Sequence, residues 1–203
     1  YQMNSNNRGH CVVINNEIFE QQSRRYGTEK DVESLKELFK QLNFQITVHD
    51  NKTAQEIHNL IKHYKDMDHT NYNCFVMMVL SHGSHGNVYG VDGKEVGIEQ
   101  IVISFDSRNC KSLCDKPKLF FIQACQGGRY TKNDDEDSSE ISLPTKTRAL
   151  TFLFYISINY ISGFVSWRDK NFGTWFIQAV VYAFKYWAHS CELAVLMTRV
   201  GTN

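Results

Sequence analysis

Proline is scarce in this 203-residue chain: Pro117 and Pro144 are the only two, and neither marks a domain boundary. Net charge is lacking as well, since 22 Lys and Arg balance 22 Asp and Glu. No global field therefore draws the chain to nucleic acid or to a membrane surface, and neither is expected as a partner. Long hydrophobic runs are missing too. The most apolar stretch, Ala149–Val165, is interrupted by Ser157, Asn159 and Ser162 and is too short and too polar to span a bilayer. There is no internal repeat and no recognisable secretory signal segment. The six cysteines, Cys11, Cys74, Cys110, Cys114, Cys125 and Cys191, make no dense disulfide framework, so reduced thiols in the cytoplasm are the expectation. What remains is ordinary globular composition, 42% hydrophobic and 22% charged, in a length suited to one domain with a sizeable core.

The apolar pattern predicts alternating strands and helices. His10–Ile14 reads as a strand rich in Val and Ile. Thr28 reads as an N-cap before Val32, Leu35, Leu38, Phe39 and Leu42 at helical spacing. Phe44–His49 reads as a second strand. Thr53 and Glu56 make a capping box ahead of the stripe Ile57, Leu60, Ile61 and Tyr64. Cys74–Leu80 and Lys118–Gln123 read as further strands, the first apolar throughout and so covered on both faces. Thr151–Ile161 reads as strand and Gly173–Trp187 as helix, with Phe176, Val180, Ala183, Phe184 and Trp187 on one stripe. Strand, helix, strand, helix, strand points to a parallel sheet with helices on both sides. Between them, Arg129–Glu140 is polar, acidic and without apolar periodicity, the pattern of an exposed loop.

In such a sheet, chemistry gathers at the carboxyl ends of strands. Two apolar runs end on reactive side chains: one on Ser81-His82-Gly83, the other on Gln123-Ala124-Cys125-Gln126-Gly127-Gly128. A cysteine or a histidine alone at a strand end is most often structural. Together they form the pair that thiol catalysis needs. The imidazole of His82 takes the thiol proton of Cys125 and later protonates a leaving amine. Gly83, Gly127 and Gly128 would allow close backbone approach. The Gly83 and Cys125 N–H groups could both point at a developing oxyanion. Zinc is disfavoured: Cys110 and Cys114 with His82 and His85 give no paired ligand cluster, so no cofactor or metal is expected.

These motifs, with others in order along the chain, resemble the caspases, aspartate-directed cysteine proteases. The likeness covers nearly the whole chain. It runs through Arg8-Gly9-His10-Cys11, Ile14-Asn15-Asn16, Arg25-Tyr26-Gly27-Thr28 with Asp31, Ser81-His82-Gly83 and Tyr89-Gly90-Val91-Asp92-Gly93. It continues through Lys116-Pro117-Lys118, Gln123–Gly127, Gly163–Arg168 and Gly173–Gln178. Gln-Ala-Cys-x-Gly with an upstream His is itself a known signature of that family. The resemblance implies a three-layer α/β fold with a mostly parallel sheet. It implies Cys125 as nucleophile and His82 as acid–base, cleaving after aspartate through an acyl-enzyme in apoptosis. Arg25, Gln123 and Arg168 would line the pocket for the substrate aspartate, where guanidinium forks pair with a carboxylate. Ser166 would bond the substrate main chain as an added strand. Trp167 and Trp175 would wall pockets further upstream; without the resemblance, both read as core packing and Arg25 as a solvated loop charge.

The family is made as a zymogen and cut between a large and a small subunit. Here Asp134, Asp135 and Asp137 are the candidates, with Asp137 preferred because Ser138 is small on the leaving side. The chain then divides into a large-subunit-like 1–137 and a small-subunit-like 138–203, with 128–147 as the cleavable linker. Tyr1-Gln2-Met3, Cys11–Asn16 and Met67-Asp68-His69 are similar to the death-receptor-branch initiators. Trp167-Arg168 and the short linker are more similar to executioners, and the two alternatives stay open.

The sequence also departs from the family pattern. Thr145–Leu150 stands where the family has a Glu-Ala-Asp element, and the family's final strand has no counterpart after Leu196–Val200. The family forms homodimers through that strand, so poor dimerisation is the expectation for this chain. Adaptor proteins are implied only through a prodomain. A caspase-like regulator that binds caspases or their adaptors without catalysis is the alternative function. A related protease specific for basic residues would need an acidic pocket, which Arg25 and Arg168 oppose.

Overall fold

The computed structural model describes residues 6–84, 86–124, 154–158, 168–169, 173–192, 195–196 and 198–199, with 154–158 and 168–169 as backbone. Five strands form one sheet: β1 (Gly9–Asn15), β2 (Phe44–Asp50), β3 (Phe75–Leu80), β7 (Lys118–Gln123) and β8 (Phe154–Ile158). Their order is β2-β1-β3-β7-β8, and every pairing is parallel.

Side chains alternate across this sheet, as the two-residue strand period requires. Val12, Ile14, Met77, Val79, Phe120 and Ile122 face one core, with Ile57 and Ile61 of α2 (Ala54–Asp66) and Ile101 of α3 (Ile98–Ile103). Cys11, Val13, Val76, Met78, Leu119 and Phe121 face the other. There they meet Leu35 and Phe39 of α1 (Thr28–Gln41) and Val180 and Phe184 of α4 (Trp175–Trp187). Helices therefore cover both faces, giving the expected three-layer α/β architecture. Full burial of β3 and β7 extends to Lys118, whose Nζ donates to the carbonyls of Leu113 (2.7 Å) and Lys116 (2.8 Å). Those bonds compensate a charge inside an apolar strand.

Local sequence signals held at Thr53, whose Oγ1 accepts from Glu56 N–H (3.3 Å) while Thr53 N–H donates to Glu56 Oε2 (2.8 Å). They failed at Thr28. The residue capping α1 is Gly27, in the left-handed region at φ 85°, with no side-chain cap. Thr28 is buried inside the helix, and its hydroxyl donates to Asn15 Oδ1 at 2.6 Å. The expected helix 173–187 starts two residues late, because Gly173 and Thr174 form β10, antiparallel to β9 (Arg168–Asp169). Of the strand expected over 151–161, residues 154–158 are described. The sequence reading missed a three-stranded antiparallel sheet of β4 (Gly83–Ser84), β5 (Asn87–Tyr89) and β6 (Glu95–Gly97). Strands of two or three residues carry no readable period.

Asp31 explains the late start of α4. Its buried carboxylate accepts Thr174 N–H at 2.8 Å and the Thr174 hydroxyl at 3.0 Å, joining residues 143 positions apart. Gly173 has φ 86°, and a Cβ there would lie 2.3 Å from Asp31 Oδ1. Asp31→Ala leaves both Thr174 donors unsatisfied, and the expected loss is about 2–4 kcal/mol of folding stability, read from the urea midpoint. A loss within experimental error would mean that the carboxylate is not the tie.

Candidate active site

The carboxyl ends of β1, β3 and β7 meet in one row. Asn15 pairs with Leu80 in register, and Leu80 with Gln123. The ladder continues one step further, with Asn16 N–H on Leu80 O (2.8 Å) and Ser81 N–H on Gln123 O (3.0 Å). His82 follows immediately and is half-buried. Its ring packs on Phe19 (centroids 4.6 Å apart), and its Nε2 lies 2.8 Å from the Ser23 carbonyl. A carbonyl oxygen only accepts, so Nε2 carries the hydrogen and Nδ1 is the basic nitrogen of the neutral ring.

Gly83 follows in β4. Tyr89 N–H donates to His82 O at 2.8 Å, and Gly83 stands opposite Val88. Hydrogen-bonded and non-hydrogen-bonded pairs alternate in an antiparallel ladder, so Gly83 is at a non-hydrogen-bonded position and its N–H is directed away from β5.

Arg25 is buried to 2% exposure, and its Nη1 donates to Asn16 O at 3.0 Å. Asn16 is the hub of this end of the sheet. Its Nδ2 donates to the carbonyls of Lys52 (3.1 Å) and Tyr89 (2.9 Å), and its Oδ1 accepts Lys52 N–H (2.8 Å). Tyr89 O also accepts the Ser81 hydroxyl at 2.6 Å. Consecutive bonds therefore link Arg25, Asn16, Tyr89 and His82. Gln123, the last residue of β7, is also buried. The reading of Arg25 as a solvated loop charge is excluded by its burial.

Trp175 opens α4 at 68% exposure, which excludes core packing for that side chain. It directly follows Thr174, the β10 residue paired with Arg168. Asp31 thus holds the strand pair that carries the Arg168 backbone. The Arg168 side chain, Cys125, Gly127, Gly128, Ser166, Trp167 and the candidate processing residues Asp134, Asp135 and Asp137 lie outside the described residues.

Sequence reasoning missed Ser23 and Phe19, and named Asn16 within a family motif without its role as hub. The one available signal was the polar pair Asn15-Asn16 ending a buried strand. Among the described residues no group of three His, Cys, Asp or Glu is arranged to hold a metal ion, and no helix is long and apolar enough to cross a membrane.

Two thiols away from this site, Cys11 and Cys74, are chemically quiet. Cys11 and Cys74 are buried. Burial raises the Cys11 thiol well above its ordinary value, with the neighbouring Cys74 adding to it, and pushes Cys74 up to about 12. Thiolate is the reactive form. Iodoacetamide applied to the native protein near neutral pH is therefore expected to leave Cys11 and Cys74 unmodified, read by peptide mass spectrometry. Rapid labelling of either would contradict that burial.

A caspase-domain family model matches residues 8–203. The chain belongs to the caspase family. Caspase-8 of Mus musculus is 37% identical over 205 residues, covering 89% of this chain and 42% of that protein. Caspase-9 of Homo sapiens is 35% identical, covering 95% of this chain and 55% of its own length. Caspase-7 of Gallus gallus is 32% identical, covering 99% and 68%. This chain thus spans less than half the length of the mouse caspase-8 it matches, and the caspase domain is the part they share.

Proposed function

We propose that this caspase domain is an aspartate-directed cysteine endopeptidase, with Cys125 as nucleophile and His82 as general acid–base. The observation that carries the reading is the clamp on His82: Ser23 O on Nε2 leaves Nδ1 as the base, and the buried Arg25 follows Ser23 by two residues. In sequence, His82 and Cys125 each stand two residues beyond the shared row Leu80–Gln123.

In the first half-reaction the Cys125 proton passes to His82 Nδ1. Sulfur then bonds to the carbonyl carbon, the C–N bond breaks, and His82 returns the proton to the leaving amine. Water next gives a proton to His82 as its oxygen attacks the thioester. The C–S bond breaks, and the thiolate is regenerated. The Gly83 N–H, directed away from β5, and the Cys125 N–H would bind the oxyanion. Arg25, Gln123 and Arg168 would bind the substrate aspartate, with Ser166, Trp167 and Trp175 contacting the peptide upstream. Processing after Asp137, or after Asp135 or Asp134, would separate residues 1–137 from 138–203. A zymogen stage, apoptotic substrates and a cytoplasmic setting belong to the same reading, with homodimerisation carried over from the family alone.

Matched fluorogenic peptides with Asp or Asn before the reporter, tested with Cys125→Ala as control, decide it. The expected result is Cys125-dependent cleavage that favours Asp about a thousandfold or more, because Asn leaves buried donors unpaired. Absence of cleavage, with and without conditions that promote dimers, would replace this reading with the non-catalytic regulator.

A further inference from the structure

The loop between β1 and α1 supplies both Arg25 and, two residues earlier, the Ser23 carbonyl that holds His82. It has no regular structure of its own, and a few bonds fix it. At its start Asn51, in the left-handed region at φ 53°, accepts Glu17 N–H (3.0 Å) and Ile18 N–H (2.9 Å) on Oδ1. Further on, Glu20 N–H donates to Val91 O at 3.0 Å, and at the neck Arg25 N–H donates to Glu17 O at 2.9 Å.

A further tie is between side chains. Glu17 Oε1 accepts from Arg24 Nε at 2.8 Å and lies 2.7 Å from Arg24 Nη2. The Arg24 guanidinium also sits over the Tyr26 ring, 5.1 Å from its centroid. The Glu17 side chain is only 17% exposed, against 50% for Arg24. Arg24 is therefore gripped on the carboxylate and on the ring.

That grip acts directly on the Ser23 carbonyl. The peptide group is planar, so Ser23 O, Arg24 N and Arg24 Cα move as one body. Pinning the Arg24 side chain restricts rotation of the plane whose oxygen faces His82. An ion pair this exposed adds little to global stability. Choosing among nearly equal orientations of one carbonyl needs little energy, so a small contribution is enough here.

We propose that the Glu17–Arg24 ion pair is a positioning device for His82, fixing the Ser23–Arg24 peptide plane and, through it, the ring tautomer. Its catalytic consequence rests on the endopeptidase reading; its effect on the tautomer does not. With Glu17 and Arg24 paired, Nε2 keeps its hydrogen on Ser23 O and Nδ1 stays available. With the pair broken, water competes for Nε2 and the second tautomer becomes populated.

The test uses protein with 15N-labelled histidine. Long-range 1H–15N correlation spectra are recorded at about pH 7.5, where an ordinary histidine is neutral, and His82 is assigned by comparison with His82→Gln. The wild-type ring is expected to show a single protonated Nε2 and an unprotonated Nδ1. Glu17→Gln and Arg24→Ala are expected to move both shifts toward the average of two tautomers, and Arg24→Lys to restore part of the wild-type signature. With the Asp peptide, kcat in Glu17→Gln is expected to fall about fivefold at unchanged KM, the sign of a group that acts on the chemical step. A His82 spectrum unchanged in both Glu17→Gln and Arg24→Ala overturns the inference. If wild-type protein cleaves neither peptide, the endopeptidase reading fails, while the spectra still decide the role of the ion pair.

Discussion

Replacing Arg25 by lysine is expected to lower kcat/KM for an Asp peptide by about a hundred- to a thousandfold, or roughly 3–4 kcal/mol of transition-state binding. Arg25 is buried, and one nitrogen of its guanidinium is committed to Asn16 O at 3.0 Å. That bond helps fix the plane of the group, and a guanidinium held in plane matches a carboxylate with parallel N–H donors. Lysine keeps the charge and loses the fork. A single ammonium cannot both hold Asn16 O and pair two carboxylate oxygens in one plane. Arg25→Ala should do more harm, because it also strips Asn16 O of its donor and loosens the hub that reaches Tyr89 and His82. Thermal melting of both variants separates lost recognition from lost fold. A folded Arg25→Lys protein that cleaves the Asp peptide within about threefold of wild type would remove Arg25 from the pocket.

The same residues show what could be read before the structure was known. Strands β1, β3 and β7 were legible because burial on both faces leaves an unbroken apolar run. His82 and Gln123 were legible as positions because they end those runs. Ser23 was not, since it acts through a main-chain oxygen that every residue possesses. Asn16 was not, because an asparagine after a strand usually signals a turn, whereas here its amide bonds Lys52 and Tyr89. Thr28 misled for a related reason. A threonine before a helical stripe looks like a cap, but the one next to it, Gly27, takes the left-handed conformation, and the Thr28 hydroxyl turns to Asn15. Asp31 appeared in the sequence only as part of a family resemblance. Its partner Thr174 is so distant along the chain that no local pattern could join them.

Acid is expected to weaken the fold through three histidines, two of which, His10 and His69, lie at the end of the sheet opposite to His82 while His49 pairs in register with Ile14. His10, at the amino end of β1, is buried against His69 (ring centroids 5.8 Å apart) and Tyr72 (5.0 Å). His69 is wholly buried and donates from Nε2 to Tyr64 O at 2.7 Å. On β2, His49 Nε2 lies 3.0 Å from the Tyr64 hydroxyl. Burial lowers the pKa of all three. His69 and His63 add to the effect at His10, Lys52 and His63 at His49, and Lys116 at His69.

The sign follows from linkage. Each ring has a lower pKa folded than unfolded, so as pH falls the unfolded chain takes up protons first. The contribution is complete above the ordinary histidine value of about 6.5 and is lost as pH drops through it toward the lowered folded values. Carboxylates titrate lower, so histidine dominates between about pH 6.5 and 5. The urea midpoint is expected to fall steadily across that window. A His10→Gln, His69→Gln double variant should show a flatter fall whatever its midpoint at neutral pH, and a slope equal to wild type would exclude these histidines as the cause. The run of β1 from His10 to Asn15 puts about 15–20 Å between the His10–His69 pair and the end of the sheet that leads into His82. The pH–rate profile should therefore be unaltered in the double variant, while the stability slope changes.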